Sequence, residues 1–249
     1  AMALAFVAAL QCKKNENEAC GVCEACVKTF KLVHPDIHFF FPNSGGKDFT
    51  SEVNMQSWRH SVLENPYLTS AHWQAVIEQE NKLLNISAEE CRAMVKKLSY
   101  TIYEGNMKIV FIWLPEFLGH EGNILLKLIE EPPPQSLILL VTDNPGWLLP
   151  TIRSRCQQMN FPPFTNEDIL SELYKAGMQD TKQMKNILSA SEGNMYEAIK
   201  MIEEQNNPRV EKMLDWLRLC FKNNVLDLKQ KCDQLASEGR EAQRQLLKF

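Results

Sequence analysis

Four of the eight cysteines stand together as Cys12-x7-Cys20-x2-Cys23-x2-Cys26, while Cys91, Cys156, Cys220 and Cys232 are scattered. Short Cys-x2-Cys steps turn neighbouring sulfurs toward one point, and a tetrahedral Zn²⁺ needs four thiolates at about 2.3 Å. Gly21 permits a tight turn between Cys20 and Cys23. Cys12, Cys20, Cys23 and Cys26 therefore predict a closed, structural Zn²⁺ site with no open position for catalysis. The alternative is four reduced cysteines in a polar loop. A secreted disulfide scaffold would be shorter and would spread its cysteines. His34 and His38 follow closely, but four sulfurs already satisfy zinc, so both histidines read as structural.

Other chemistry is sparse. Gly45-Gly46-Lys47 lacks the Gly-x4-Gly-Lys-Ser/Thr spacing of a phosphate loop, which occurs nowhere in the chain. Arg153 and Arg155, in Thr151-Ile152-Arg153-Ser154-Arg155-Cys156, read on residue type alone as solvated arginines ending a loop before a strand. A net charge of −4 and the absence of a polybasic block give no support for nucleic-acid binding by this chain alone. No apolar run is long enough to span a bilayer, and Ala1 to Leu10 has neither a basic leader nor a convincing cleavage site, so neither a membrane span nor a signal peptide is expected.

The elements that must position these residues are legible as hydrophobic patterns. Lys108 to Trp113 and Leu137 to Thr142 are unbroken apolar runs, as expected for parallel strands covered on both faces. Between them Ile124, Leu125, Leu128 and Ile129 recur at helical spacing until Pro132-Pro133-Pro134 stops the helix. This is a βαβ unit in an α/β fold. Ala1 to Leu10 is a strong helix former, His34 to Pro42 a turn into a buried strand, and Asn43 to Ser51 a mobile loop. Residues 52 to 84 predict a mostly helical insertion with Trp58, Leu63, Trp73, Val76, Ile77 and Leu84 buried. Ser87 caps the next helix, with Glu90 closing a capping box, and this helix ends before Gly105. Gln157 to Phe161 predicts a last strand, and Pro162-Pro163 a boundary. Three helices follow, capped by Thr165, opened by Asp180 and running from Met195 to Glu204. Beyond Pro208, Val210, Met213, Leu214, Leu217 and Phe221 form one helical stripe, and Val225, Leu228, Cys232 and Leu235 another; simple core packing explains both.

Three motifs carry a family resemblance: Asn123-Ile124-Leu125-Leu126-Lys127-Leu128-Ile129-Glu130-Glu131-Pro132-Pro133, then Val141-Thr142-Asp143-Asn144-Pro145, then Leu149-Pro150-Thr151-Ile152-Arg153-Ser154-Arg155-Cys156. Together they resemble the central segment of bacterial DNA polymerase III clamp-loader subunits, AAA+ proteins of the gamma/tau and delta-prime types. The resemblance implies an AAA+-type α/β domain over residues 1–163, with a zinc module at 12–26 like the four-cysteine module of the family. The first helix matches the one that follows the phosphate loop, so the chain is expected to be N-terminally truncated just after that loop. A three-helix lid at 164–207 and part of a helical collar at 208–249 complete the implied architecture.

The resemblance also separates a motor from a stator. Active members carry Asp-Glu after the central apolar strand, where this chain has Trp113-Leu114, then Pro115-Glu116. Neither Trp nor Leu binds Mg²⁺, and Glu116, past a proline, reads as a surface acid. The lid pattern Gly-x-x-Arg-x-Ala aligns with Gly193-Asn194-Met195-Tyr196-Glu197-Ala198, so Tyr196 replaces the arginine that senses the γ-phosphate. These substitutions imply a delta-prime-like subunit that does not hydrolyse ATP itself; the alternative is an active gamma/tau-type ATPase. Ser154-Arg155-Cys156 matches the motif by which clamp-loader subunits reach into a neighbour's ATP site, making Arg155 the implied arginine finger and Arg153 the lesser candidate. Implied partners are gamma/tau and delta-type subunits, the sliding clamp, and primer-template DNA through the assembled complex, in the cytoplasm and without a membrane.

Overall fold

The computed structural model describes residues 1–44, 50–77, 83–175, 177–178 and 180–205, with positions 218, 221 and 229. The chain divides into two compact units, Ala1–Asn160 and Phe161–Phe249. In the first unit the order is α1 (Met2–Gln11), α2 (Glu24–Phe30), β1 (Ile37–Phe40), β2 (Asn43–Ser44), α3 (Met55–Glu64), α4 (Ser70–Val76), β3 (Leu84–Asn85), α5 (Ala88–Ser99) and β4 (Lys108–Trp113). A 3₁₀ stretch at Pro115–Leu125, α6 (Leu126–Glu130), β5 (Ser136–Val141) and α7 (Pro150–Arg153) complete it. The second unit contains α8 (Asn166–Lys175), α9 (Thr181–Ser191) and α10 (Met195–Gln205). No helix among the described residues is long and apolar enough to cross a membrane.

Strands β1, β4 and β5 form a parallel sheet in the order β1-β4-β5, with Ile109 opposite both Ile37 and Leu137. Side chains alternate across a strand. Ile37, Phe39, Ile109, Phe111 and Trp113 therefore enter one apolar cluster with Trp58, Trp73 and Val7. Phe40, Val110 and Ile112 enter the opposite one with Met94, Leu98 and Ile152. Every residue of β4 is buried, as its unbroken apolar run predicts. Those of β5 are only half-buried, because it pairs on one edge alone among the described residues. The predicted strand at Gln157 to Phe161 does not form: residues 157–160 carry no strand, find no ladder partner among the described residues, and are exposed. An extended segment becomes a strand only by pairing.

Several local expectations are also corrected. Asn43 and Ser44 are not loop but pair antiparallel with Asn85 and Leu84, and both are buried. Residues 45–49 lie outside the described set. Within the predicted insertion Trp58, Trp73 and Leu84 are buried and Val76 and Ile77 partly so, but Leu63 is 53% exposed because α3 turns it away from the Trp58–Val62 face. The helix read from Ile124 begins as 3₁₀ and becomes α only at Leu126. Ser87 caps α5 by accepting from the Glu90 N–H at 3.3 Å, yet the capping box is half made. The Glu90 carboxylate instead accepts from the Ser51 N–H at 2.7 Å and from the Ser51 hydroxyl. Burial raises the Glu90 pKa, an effect that these bonds oppose.

In the second unit, Thr165 and Asp168 form a reciprocal cap on α8: Thr165 Oγ1 accepts from the Asp168 N–H at 3.2 Å, while Asp168 Oδ2 accepts from the Thr165 N–H at 3.0 Å. Asp180 caps α9. Ile169, Leu173, Met184, Ile187 and Met195 are buried. Of the stripes placed beyond Pro208, Phe221 is described and is 91% exposed, against the expectation of core packing for this residue. Its companions in both stripes lie outside the described residues.

The turn into β4 is locked by polar groups from far upstream. The Asp36 carboxylate accepts from the N–H groups of Tyr103 (2.7 Å), Glu104 (2.9 Å) and Gly105 (2.7 Å). Gln11, fully buried, accepts from the Asn106 N–H at 2.9 Å and donates to the Met107 carbonyl at 2.7 Å. Gly105 is required by close approach, since a Cβ there would stand 2.5 Å from Gln11 Oε1 and 2.9 Å from His34 Cε1. His34 is buried and accepts from the Asp36 N–H through Nδ1, in keeping with its structural reading.

Burial works against the Asp36 carboxylate, yet the three N–H donors outweigh it and hold its pKa below the usual value. A carboxyl depressed on folding adds stability above its unfolded pKa of about 3.9, and that stability is lost as pH falls through the folded value. Asp36→Asn is therefore expected to lose about 2 kcal/mol at neutral pH. In urea unfolding the gap from the parent should shrink below about pH 4. A gap that stayed constant across that range would contradict this account.

Candidate functional site

The four-cysteine lobe is built by two short helices and the segment between them. Helix α1 ends at Cys12, whose N–H reaches the Ala9 carbonyl at 3.1 Å, and whose extended backbone turns the chain away. Gly21, at φ +72°, makes the turn anticipated between Cys20 and Cys23. Cys23 then caps α2, its sulfur facing the Cys26 N–H at 3.5 Å. Two more backbone donors meet sulfur: Asn15 N–H to Cys12 and Cys23 N–H to Cys20, each at 3.3 Å. Such bonds favour the thiolate over the thiol.

All four Sγ atoms lie within 4.8 Å of one another, and those of Cys20 and Cys26 are 4.0 Å apart. Tetrahedral bonds of about 2.3 Å would place sulfurs about 3.8 Å apart, so the set fits a single metal ion after a small contraction. The backbone N–H of Cys20, then that of Asn15, hold the Cys12 thiol at about 6. Donors from Lys13 and Cys26 lower Cys23, while burial pushes Cys26 up to about 12. The donors at Cys12 and Cys23 favour the thiolate, which is the form in which sulfur ligates a divalent cation. The lobe is tied to the sheet through Lys28, which bonds Glu104 at 2.8 Å and Glu24 at 2.6 Å.

The end of β4 carries no acidic pair. Trp113 is 8% exposed and packs against Trp58 with ring centroids 6.2 Å apart, and Leu114 is 1% exposed. Leu114 also sits at φ +55°, in the left-handed region, and lets the chain enter Pro115 directly. Glu116 is not the surface acid expected from sequence. It is half-buried, its Oε1 accepts from the Asp143 N–H at 3.3 Å, and its Oε2 is buried without a hydrogen-bond partner among the described residues. The chain folds back over it after Pro115, which a linear reading does not reveal. In the second unit Tyr196 is buried, and its N–H meets Asn194 Oδ1 at 3.0 Å beside Gly193 at φ +82°.

Arg155 lies just beyond α7. Ile152, fully buried, fixes this turn to the apolar layer, and Cys156 packs partly against the same layer. The Arg155 N–H reaches the Ile152 carbonyl at 3.0 Å. Its side chain stays at the surface, where Nε pairs with Glu130 and Nη1 donates to the Thr151 carbonyl at 2.9 Å and Ser154 Oγ at 3.3 Å. A solvent-exposed pair of this kind stabilises little, so the guanidinium exchanges partners readily. Arg153 is exposed; its N–H reaches the Leu149 carbonyl at 3.0 Å, and its side chain has no hydrogen-bond partner among the described residues. The sulfurs are brought together, whereas Arg155 belongs to a different edge of the sheet. Sequence reasoning missed Glu130, since residues 25 apart give no pattern for such a pair.

Fold and site define a parallel α/β protein with an appended four-thiol lobe and a separate helical unit. Its sequence allows a closer assignment. The chain belongs to the DNA polymerase III delta subunit family, since the family profile described as "DNA polymerase III, delta subunit" matches residues 1–165. The DNA polymerase III subunit delta' of Bacillus subtilis (strain 168) is 24% identical over 200 residues, covering 80% of this chain and 48% of that protein. Subunit delta' of Haemophilus influenzae (strain ATCC 51907 / DSM 11121 / KW20 / Rd) is 26% identical over 213 residues, covering 84% and 52%. Subunit tau of the same Bacillus strain is 32% identical over 175 residues, covering 65% and 30%. The chain spans about half the length of the delta' relatives it matches.

The strand end gives a test of stability. Installing Asp and Glu at 113 and 114 puts two carboxylates where Trp113 and Leu114 are packed, so the double variant Trp113→Asp/Leu114→Glu is expected to lose at least about 4 kcal/mol. Guanidinium unfolding checks this. A double variant as stable as the parent would show that the strand end is not part of the core.

Proposed function

We propose that this chain belongs to a non-hydrolysing, delta-prime-like subunit of the DNA polymerase III clamp loader, the stator against which ATP-hydrolysing subunits work as the sliding clamp is loaded for DNA replication. The observation that carries this reading is the apolar packing of Trp113 and Leu114 at the end of β4. ATP hydrolysis needs placed Mg²⁺ and positive charge around the transferring phosphoryl. An indole and an isobutyl group in the core supply neither.

Residues 1–163 make the AAA+-type domain with its zinc module at 12–26, residues 164–207 the lid, and residues 208–249 part of the collar. Tyr196, buried within its helical unit, leaves the lid position without a fixed cation. Cys12, Cys20, Cys23 and Cys26 hold one structural Zn²⁺, supported by the mutual spacing of their sulfurs. Arg155 is the arginine finger, donated to the ATP site of a neighbouring gamma/tau-type subunit. Supporting this reading are its exposure, the backbone fixed at Ile152, and a weak partner in Glu130 that a phosphate can replace. The further partners are a delta-type subunit, the clamp, and primer-template DNA through the assembly, in the cytoplasm. An active gamma/tau-type ATPase is the second reading. The tau similarity favours it, and the end of β4 opposes it.

Two outcomes follow. Purified protein should contain close to one zinc per chain, and a strong chelator should loosen the α1–α2 lobe by hydrogen exchange while α8–α10 remain protected. Much less than one zinc under reducing conditions would remove the metal assignment. The full-length subunit alone should show no ATP turnover, and in the reconstituted loader Arg155→Ala should slow clamp-stimulated hydrolysis by about 10³-fold or more, with Arg153→Ala doing less. Turnover by the isolated subunit at a motor's rate, with contaminants excluded, would overturn the stator reading. Normal rates with Arg155→Ala in an intact assembly would overturn the finger role.

A further inference from the structure

Trp147 stands out among the surface residues of the first unit. It is 75% exposed, although tryptophan presents a large apolar surface that water solvates poorly. Its position is nevertheless well defined. Trp147 closes a turn in which its N–H reaches the Asn144 carbonyl at 3.0 Å, with Pro145 and Gly146 between them. The Asn144 N–H in turn reaches Thr142 Oγ1 at 3.1 Å. Leu148, the next residue, is 6% exposed and enters the same apolar layer as Ile152. An exposed indole is thus carried on a turn pinned on both sides, rather than on a loose loop.

The same pinned segment carries Arg155. From Trp147 the chain makes two extended steps and one helical turn, so the two Cα atoms are separated by no more than about 20 Å. An interface of ordinary size covers about 800 Å² of each partner, a patch about 30 Å across. A patch of that size has room for both the Arg155 guanidinium and the turn of Trp147. Trp and Arg are the residue types that most often dominate binding energy at such contacts, and a preorganised indole loses little freedom on docking.

We infer that Trp147 is an aromatic anchor for the subunit into whose ATP site Arg155 reaches, seated in an apolar hollow of that subunit with a hydrogen-bond acceptor for the indole N–H. This rests on the finger reading of Arg155, but it assigns a separate task. Arg155 acts on rate and Trp147 on affinity.

The test uses the full-length subunit with Trp147→Ala, Trp147→Phe and Arg155→Ala, each titrated into the purified neighbouring gamma/tau-type subunit and then assayed in the complete loader. Trp147→Ala should keep the parent's melting temperature, because three quarters of the residue is already exposed to solvent. It should bind about 30-fold more weakly, which corresponds to about 2 kcal/mol. Trp147→Phe should recover part of that loss. At saturating subunit concentration the Trp147→Ala loader should hydrolyse ATP at the parent's rate, whereas Arg155→Ala should bind normally and hydrolyse slowly. Parental affinity for Trp147→Ala, with Arg155→Ala still slow, would overturn the anchor and leave the finger standing. Weak binding by Trp147→Ala, with Arg155→Ala hydrolysing normally, would uphold the contact and overturn the finger.

Discussion

Strand β4 is paired on both edges and covered on both faces, so each of its six side chains must be apolar or have its charge met inside the protein. Ile109, Phe111 and Trp113 supply one layer, and Val110 and Ile112 the other. Lys108 is the exception that shows the rule: it is 7% exposed, and its ammonium donates to the carbonyls of Leu98 (2.6 Å) and Tyr100 (2.8 Å) at the end of α5. The charge meets the carbonyl end of a helix, where a cation is favoured. The constraint extends one residue past the strand, to Leu114. An apolar end to this strand is therefore a packing solution.

The same strand couples the thiol lobe to the rest of the first unit. Its entry turn is held by Asp36, from the start of β1, and by Gln11, from the end of α1 immediately before Cys12. The lobe itself has little core: its buried cluster consists of Cys12, Cys23, Ala25 and Cys26, with Ala19 and Cys20 at its margin. So small an apolar cluster cannot offset the ordering of its loops, which is the situation in which a metal supplies folding free energy.

At the other end of the sheet, the segment after β5 presents chemistry without a pocket of its own. Leu148 and Ile152 fasten it to the apolar layer, while Trp147, Arg153 and Arg155 remain outside. Glu130 occupies Arg155 in the isolated chain, much as a solvent partner would. A side chain held in a fixed place with a replaceable partner is suited to act on another molecule.

The sequence by itself determined the parts whose cause is local. Cys-x2-Cys steps bring sulfurs together because the intervening turn is short, and the burial of β4 follows from an unbroken apolar run. The caps at Thr165 and Asp180 and the turn at Gly21 depend on side chains a few residues from the groups they serve. The central motifs also allowed the family to be recognised before any fold was known. Other features depend on residues distant in sequence. Glu90 leaves its capping box because folding brings Ser51, 39 residues away, to its carboxylate. Glu116 loses its surface position to the turn around Asp143, Leu63 faces solvent through the orientation of α3, and residues 157–160 remain unpaired because a strand needs a neighbour. Local periodicity states which face of an element is apolar, but tertiary structure decides what that face meets. Contacts formed only when distant segments pack leave no spacing in the sequence to read.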